Sequence, residues 1–332
     1  MTADGTGGTG PAPVGVWSIG QLAERAGVTV KTVRFYSDRG LLPEAARSGG
    51  GHRRYGPEAL DRLRLIRSLR GLDLPVPEVG RVLDEEDALE DVIEVQLREL
   101  GTRLTALRWR EAALRLLRDC SAEERAERLR LIGGLSIPPT TAALARFWRL
   151  WLPARLPARV VSAVVEQAVP RLPDDPAPAQ VLAFARLHAF VSGPCFDSAP
   201  GTAARPGQPE AHLPGKGYRP AVLYEALPEA FALASAQLRA GRAPHRGEAL
   251  DCFAAVHAAA LNARDTADFR RGLARILAAE PRIDHYWQLA AEVMTPPPAP
   301  PEPTPGAADN WLRAALQAST SAAAPASTGD GH

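Results

Sequence analysis

Apolar and polar residues recur along the chain with the three-to-four-residue period of amphipathic helices, and this period changes from one zone to the next. The leader shows no period, and the last zone opens with PPPAPPEPTP and ends in ASTGDGH, a composition that predicts disorder around one short helix at 310–318. The pattern predicts a disordered leader (1–15), a compact basic domain (16–86), one long helix (87–119), a helical domain (121–295) and a disordered tail (296–332).

The basic domain opens with the features of two short helices joined by a tight turn. Ser18 suits a helix N-cap, and Gln21 stands where it would close a capping box. Gly27 ends the first helix, and Thr29 caps a second with the sequence VKTVRFYSDRGLL. This order predicts a helix-turn-helix, which presents its second helix to the major groove of DNA. That helix should bury Val30 and Val33 and turn outward Lys31, Thr32, Arg34 and Tyr36.

A loop rich in glycine and arginine, RSGGGHRRY (47–55), follows the second helix. Glycines let a backbone approach a phosphate chain closely, and arginines bind phosphate through two parallel hydrogen bonds. We interpret this loop as a β wing. Pro57 then starts a third helix, and Pro77 lies at the start of a fourth.

The charge of this domain differs from that of the whole chain, whose formal net charge is only +1. Between Arg25 and Arg70 there are eleven basic and four acidic residues. Such a local excess is typical of a nucleic-acid-binding module. The alternative is a small helical domain with a solvated charged face. On that interpretation the four arginines of the third helix face solvent: Arg62, Arg64, Arg67 and Arg70.

Other features exclude several classes of protein. The three cysteines are too few and too scattered for a disulfide framework. The leader has neither the basic nor the apolar region of a signal peptide. The most apolar stretch, 144–152, contains two arginines and is too short to span a membrane. We expect a soluble, cytoplasmic protein with no membrane partner.

The run SIGQLAERAGVTVKTVRFYSDRGLLPEAARSGGGHRRYGPEALDRL resembles the DNA-binding domain of MerR-family regulators. The most diagnostic parts are IGQLA, VRFY…GLL and GHRRY, and the resemblance covers about 17–118, a third of the chain. It implies a homodimer that binds a palindrome in double-stranded promoter DNA. Such regulators bend and undertwist an overlong spacer so that the RNA polymerase holoenzyme can use the promoter.

The resemblance also implies roles for individual residues. Arg34, Tyr36, Arg53 and Tyr55 match positions that contact the DNA backbone, and Phe35 stands where many relatives have tyrosine. Both tyrosines could instead be packing residues. The predicted DNA-binding residues are Ser18, Lys31, Thr32, Arg34, Tyr36, His52, Arg53, Arg54 and Tyr55.

The long helix carries a narrow apolar series from Leu89, at alternating three- and four-residue steps that only Glu111 interrupts. Such a series is typical of a coiled coil, and the resemblance implies an antiparallel coiled-coil dimer. The alternative is packing against the C-terminal helices of the same chain. The predicted dimerisation residues are Ile93, Leu97, Leu100, Leu104, Leu107 and Leu114.

The sequence of the C-terminal domain predicts a helical bundle but contains no diagnostic motif. Its predicted helices are 122–135, 140–152, 158–169, 177–191, 221–240, 246–279 with a break near 263, and 283–294. Large organic ligands favour aromatic-lined pockets, so the aromatic residues suggest an effector site, although aromatics at helical spacing usually form core. The predicted pocket residues are Trp148, Trp151, Phe184, His188 and Trp287.

No nucleophile–base pair, carboxylate dyad or phosphate loop stands out, so we expect no enzymatic activity and no cofactor. Cys120 has no nearby cysteine or histidine, whereas a soft metal needs at least two such ligands, so we expect no metal site. The sequence thus predicts an all-α regulator with a winged helix-turn-helix, a long dimerisation helix and a separate domain that binds a small organic effector. The alternative is a C-terminal domain that binds a protein or stabilises the dimer without a ligand.

Overall fold

The structure, a computed structural model, describes residues 15–85, 87–193, 217–279 and 283–321. Within these ranges the elements are α-helices, apart from one two-stranded antiparallel sheet. This confirms the predicted all-α class with a small β wing. Cys195, the predicted leader up to Val14 and most of the loop at 192–216 lie outside the described residues. The chain divides into two compact units between Thr102 and Arg103.

The first unit contains two short helices, a β-hairpin and two further helices. Their bounds are α1 (Ile19–Ala26), α2 (Val30–Asp38), β1 (Ala46–Arg47), β2 (Arg53–Arg54), α3 (Pro57–Gly71) and α4 (Val76–Asp84). In the hairpin Ala46 pairs with Arg54, and Arg47 pairs with Arg53. The predicted wing is therefore confirmed as a β-hairpin.

The turn between α1 and α2 forms as the sequence predicts. The Ser18 hydroxyl accepts a hydrogen bond from the Gln21 backbone, and the Gln21 side chain accepts one from the Ser18 backbone. Gly27 then adopts a left-handed conformation with φ of 64°, which glycine tolerates best. Thr29 caps α2 by accepting a hydrogen bond from the Thr32 backbone at 3.1 Å.

The core of this unit joins all four helices to the wing. Leu22, Val33, Leu63 and Ile66 are fully buried in it. The prediction that Val30 faces inward is wrong: it occupies the first position of α2 and is 39% exposed.

The long helix α5 (Ala88–Arg118) contains 31 residues without a break, which confirms the element predicted at 87–119. Val92 packs into the core of the first unit. Near the other end, Trp109 and Ala112 pack into a core of the second unit.

The second unit continues with nine described helices. Their bounds are α6 (Ala122–Gly133), α7 (Ala142–Trp151), α8 (Ala158–Ala168), α9 (Pro178–Ser192), α10 (Pro220–Arg239), α11 (Glu248–Ala260), α12 (Ala267–Ala279), α13 (Asp284–Met294) and α14 (Pro305–Ser321). Helices α6 to α13 agree with the predicted helices, including the break between α11 and α12. One core lies among α5, α7, α8, α9 and α13, and another lies among α10, α11, α12 and α14.

The predicted disordered tail is wrong for α14, which is longer than the predicted helix at 310–318 and buries a full apolar face. Trp311, Leu312, Ala315 and Leu316 all lie in the second of these cores. The Trp311 indole nitrogen also donates a hydrogen bond to the Arg242 carbonyl at 2.9 Å. Proline suits the first turn of a helix, so the Pro-rich run before α14 does not oppose a helix that begins at Pro305.

None of the helices in the described ranges combines the length and apolarity that a membrane crossing requires. In the same ranges, no group of three or more histidine, cysteine, aspartate or glutamate residues is arranged to hold a metal ion.

Candidate nucleic-acid interface

The outward face of α2 carries free cationic side chains. Lys31 and Arg34 are exposed, and among the described residues neither has a carboxylate within ion-pair distance. The Thr32 hydroxyl lies 2.8 Å from that of Thr29, so it belongs to the capping group of the helix. Ser18 likewise serves as the cap of α1. The two cations are therefore available to an anionic partner, and the two hydroxyls shape the turn that presents them.

The wing carries four of the predicted residues, His52, Arg53, Arg54 and Tyr55. His52 is exposed at the hairpin turn, and Arg54 is half-buried with no carboxylate partner in the described part of the chain. Arg53 differs, because its guanidinium binds Asp38 at the end of α2 and approaches Glu44 at 2.7 Å. The hydrogen bond to Asp38 and the two nearby carboxylates raise the pKa of Arg53. Arg53 therefore links the wing to α2 in the DNA-free protein.

Tyr55 extends this connection into the core. It is fully buried, and its hydroxyl lies 2.7 Å from the Ser37 hydroxyl. Ser37 in turn accepts a hydrogen bond from Arg53 at 3.0 Å. Tyr55 therefore does not present a surface for contact with DNA in this structure, contrary to the prediction, and instead positions Arg53.

Tyr36 is buried as well, with 8% of its surface exposed. The prediction that it faces outward is wrong, because it lies three residues after the buried Val33 and so shares its face of the helix. Phe35 is the exposed aromatic residue of α2, at 39%. Arg39 places its guanidinium 3.6 Å above that ring. The sequence interpretation missed this exposed pair, although its four-residue spacing signals it.

The arginines of α3 do not form a solvated face as a group. Arg62 donates to the carbonyl of Leu41 at 2.8 Å, and Arg67 donates to that of Ala26 at 2.6 Å. Arg70 donates to the Leu74 carbonyl at 2.6 Å. These side chains satisfy carbonyls next to helix ends, so part of the basic excess stabilises the fold.

The comparisons with known proteins agree with this geometry. The sequence model of the MerR HTH family regulatory protein matches residues 17–86. The mercuric resistance operon regulatory protein of Serratia marcescens is 33% identical over 113 residues, which cover 32% of this chain and 78% of that protein. The HTH-type transcriptional regulator ZntR homolog of Haemophilus influenzae is 35% identical over 96 residues, which cover 27% of this chain and 71% of that protein. The chain belongs to the MerR family.

Residues 17–86 of this MerR-family protein accordingly form its DNA-binding domain. The nodulation protein NolA of Bradyrhizobium sp. strain NC92 is 39% identical over 88 residues, which are 26% of this chain and 37% of that protein. The chain thus spans about two fifths of the length of the nodulation proteins that it matches. These matches cover at most about a third of this chain, which leaves the C-terminal helices unassigned.

The long helix α5 carries an exposed apolar stripe. The stripe consists of the six predicted dimerisation residues, which are between 42% and 63% exposed. The members of the stripe are Ile93, Leu97, Leu100, Leu104, Leu107 and Leu114. Among the described residues they belong to none of the cores, unlike Trp109 and Ala112 on the same helix.

The five predicted effector residues do not form an open pocket in the described part of the chain. Trp148 and Phe184 are buried core residues. Trp151 and Trp287 are half-buried and pack against the same core. His188 is half-buried beside Phe184, and its pKa is lowered by burial and by the charge of Arg146. The helical spacing of these aromatics reflects packing, so the predicted aromatic pocket is wrong.

The same domain instead has an open groove of about 410 Å³ between α6, α9 and α13. Its apolar floor and charged rim are lined by Glu127, Leu131, Arg186, Ala189, Phe190, His285, Gln288, Leu289 and Glu292. None of the five predicted residues lines this groove. The spacing of His285, Gln288, Leu289 and Glu292 on one face of α13 was the signal for it in the sequence.

Proposed function

We propose that this MerR-family regulator acts as a homodimer on a promoter palindrome and responds to a small organic effector. Residues 16–86 would bind DNA, α5 would form the dimer, and the helices after it, including α14, would sense the effector. The exposed stripe on α5 is the observation that carries the proposal, because six large apolar side chains in heptad register belong to none of the cores in the described part of the chain.

A homodimer is expected to have two-fold symmetry, and a two-fold protein matches a palindromic site. Each subunit would place α2 in a major groove and its wing on the adjacent backbone. Lys31, Arg34 and Arg54 supply the cations that lack a carboxylate partner in the described chain. Membership of the family supports RNA polymerase holoenzyme as a further proposed partner at the promoter.

The groove between α6, α9 and α13 supports the effector part of the proposal. Its volume falls within the range of roughly 300–1,000 Å³ that is usual for small-ligand sites. Arg128 of α6 donates to the Leu116 carbonyl of α5 at 3.1 Å. An effector that holds α6 against α9 and α13 would therefore act on the C-terminal end of the dimer helix.

The DNA part is tested by selecting duplexes from a random pool with the full chain and measuring the mass of the complex by sedimentation. We expect an inverted repeat bound by two copies. A selected site without two-fold symmetry, or a complex with one copy, would contradict the proposal.

The effector part is tested by thermal unfolding against a panel of metabolites and antibiotics, because a ligand that binds only the folded form raises its stability. A hit should shift the wild type and not Arg186→Ala or Phe190→Ala, while Arg149→Ala, an exposed arginine outside the groove lining, keeps the shift. A hit whose shift survives both groove variants places the effector elsewhere, and no hit at all favours a protein-binding domain.

A further inference from the structure

We propose that Phe35 reads a thymine in the operator through the 5-methyl group of that base. Its place on α2 is the first support. Two residues correspond to about 200° of rotation along an α-helix, so Lys31 and Phe35, each two positions from the buried Val33, lie on the opposite side of α2. Phe35 therefore occupies the middle of the face that a helix-turn-helix presents to the major groove.

The ring is exposed yet held in place. Arg39 stacks on it at 3.6 Å and also donates a hydrogen bond to the Phe35 carbonyl at 3.4 Å. The buried Tyr36 ring meets it edge to face, with centroids 5.2 Å apart. A side chain fixed on two sides loses little conformational freedom on binding, and its remaining surface is free to contact a base.

The chemistry of the ring restricts what it can read. Phenylalanine has no hydrogen-bond donor or acceptor, whereas the edges of guanine, cytosine and adenine in the major groove are read through such groups. The apolar feature of that groove is the thymine methyl. Contact with it would also remove part of the exposed phenyl surface from water.

The test replaces each thymine of the selected operator, one at a time, with deoxyuridine, which lacks only the methyl group. Affinities are measured with the full-length protein at fixed salt. The wild type should bind about fourfold more weakly when the thymine that Phe35 reads is replaced in one half-site, which is the size expected of one buried methyl group. Phe35→Ala should bind the thymine and uracil duplexes equally, and Phe35→Tyr should keep the difference.

Val30→Ala is the matched control, because Val30 is equally exposed on the same helix and lies on another side of it. This variant should keep the sensitivity at the thymine that Phe35 reads. Retained sensitivity in Phe35→Ala would overturn the proposal, as would a wild type that is insensitive at every thymine. In either case a base-selective operator would still support the proposed function, so the two failures are distinguishable.

Discussion

At the scale of single residues, His257 is the one histidine among the described residues whose side chain is buried. It is buried in α11, and its Nδ1 lies 2.9 Å from the Phe253 carbonyl. Burial lowers its pKa to about 4. The folded protein therefore keeps this ring neutral, whereas the unfolded chain binds a proton near pH 6.5.

We expect the free energy of unfolding to decrease as the pH falls from about 6.5 towards 4, because protons then favour the unfolded chain. The decrease due to His257 should be on the order of 2 kcal/mol by pH 5. Denaturant unfolding of the wild type and His257→Gln at pH 7 and pH 5 measures it. The variant should lose less stability over this interval, while His245→Gln, at an exposed position, should behave as the wild type does. Equal slopes in all three proteins would show that His257 is not the cause.

Gly306 is a second sensitive position. It is buried in the first turn of α14, and a Cβ atom there would overlap the indole ring of Trp287. We expect Gly306→Ala to destabilise the protein by about 1–3 kcal/mol, as is usual for overpacking. Thermal or denaturant unfolding tests this prediction. Gly272→Ala in α12 is the matched control, since nothing lies near its Cβ position, and it should be neutral or stabilising.

At the scale of elements, α5 carries two kinds of apolar residue: some are buried in the cores of their own chain, and others form the exposed stripe. The sequence pattern alone does not distinguish them. We expect Leu104→Glu to weaken self-association by roughly tenfold or more, because a carboxylate in a dimer interface loses its hydration. Sedimentation equilibrium measures the change, and helical content should stay the same because Leu104 is 48% exposed. Leu129→Glu on α6, at a similarly exposed leucine, should leave self-association unchanged. A fully dimeric Leu104→Glu protein would exclude this stripe as the interface.

Most helices could be predicted from apolar periodicity and caps, and the wing from its glycines and arginines. The contacts of Arg62 and Arg67 could not, because their carbonyl partners lie 21 and 41 residues away in the chain. The pattern of Trp311, Leu312, Ala315 and Leu316 was visible, but the prolines before it suggested disorder. Core aromatics such as Trp148 and Phe184 have the same spacing that pocket residues would have, so only packing separates the two.

At the scale of the whole molecule, the formal net charge of +1 gives no sign of the cationic surface that we propose to bind DNA. We expect Arg34→Ala to weaken binding to all sequences and to reduce the dependence of log affinity on log salt by about one per subunit, the value for one lost phosphate contact. Titrations at several salt concentrations measure this slope. Arg130→Ala on α6, an exposed residue of the second unit, should leave it unchanged, and a selective loss at one base pair would contradict a phosphate role for Arg34.

The chain of contacts from Tyr55 through Ser37 to Arg53 has a thermodynamic consequence for association with DNA. The hairpin and α2 are already joined by side-chain hydrogen bonds and ion pairs in the free protein. The ordering entropy of this part is therefore spent during folding and not at the encounter with the operator. Calorimetry should accordingly give a heat capacity change that matches the area buried between two preformed surfaces, without the larger value of coupled folding.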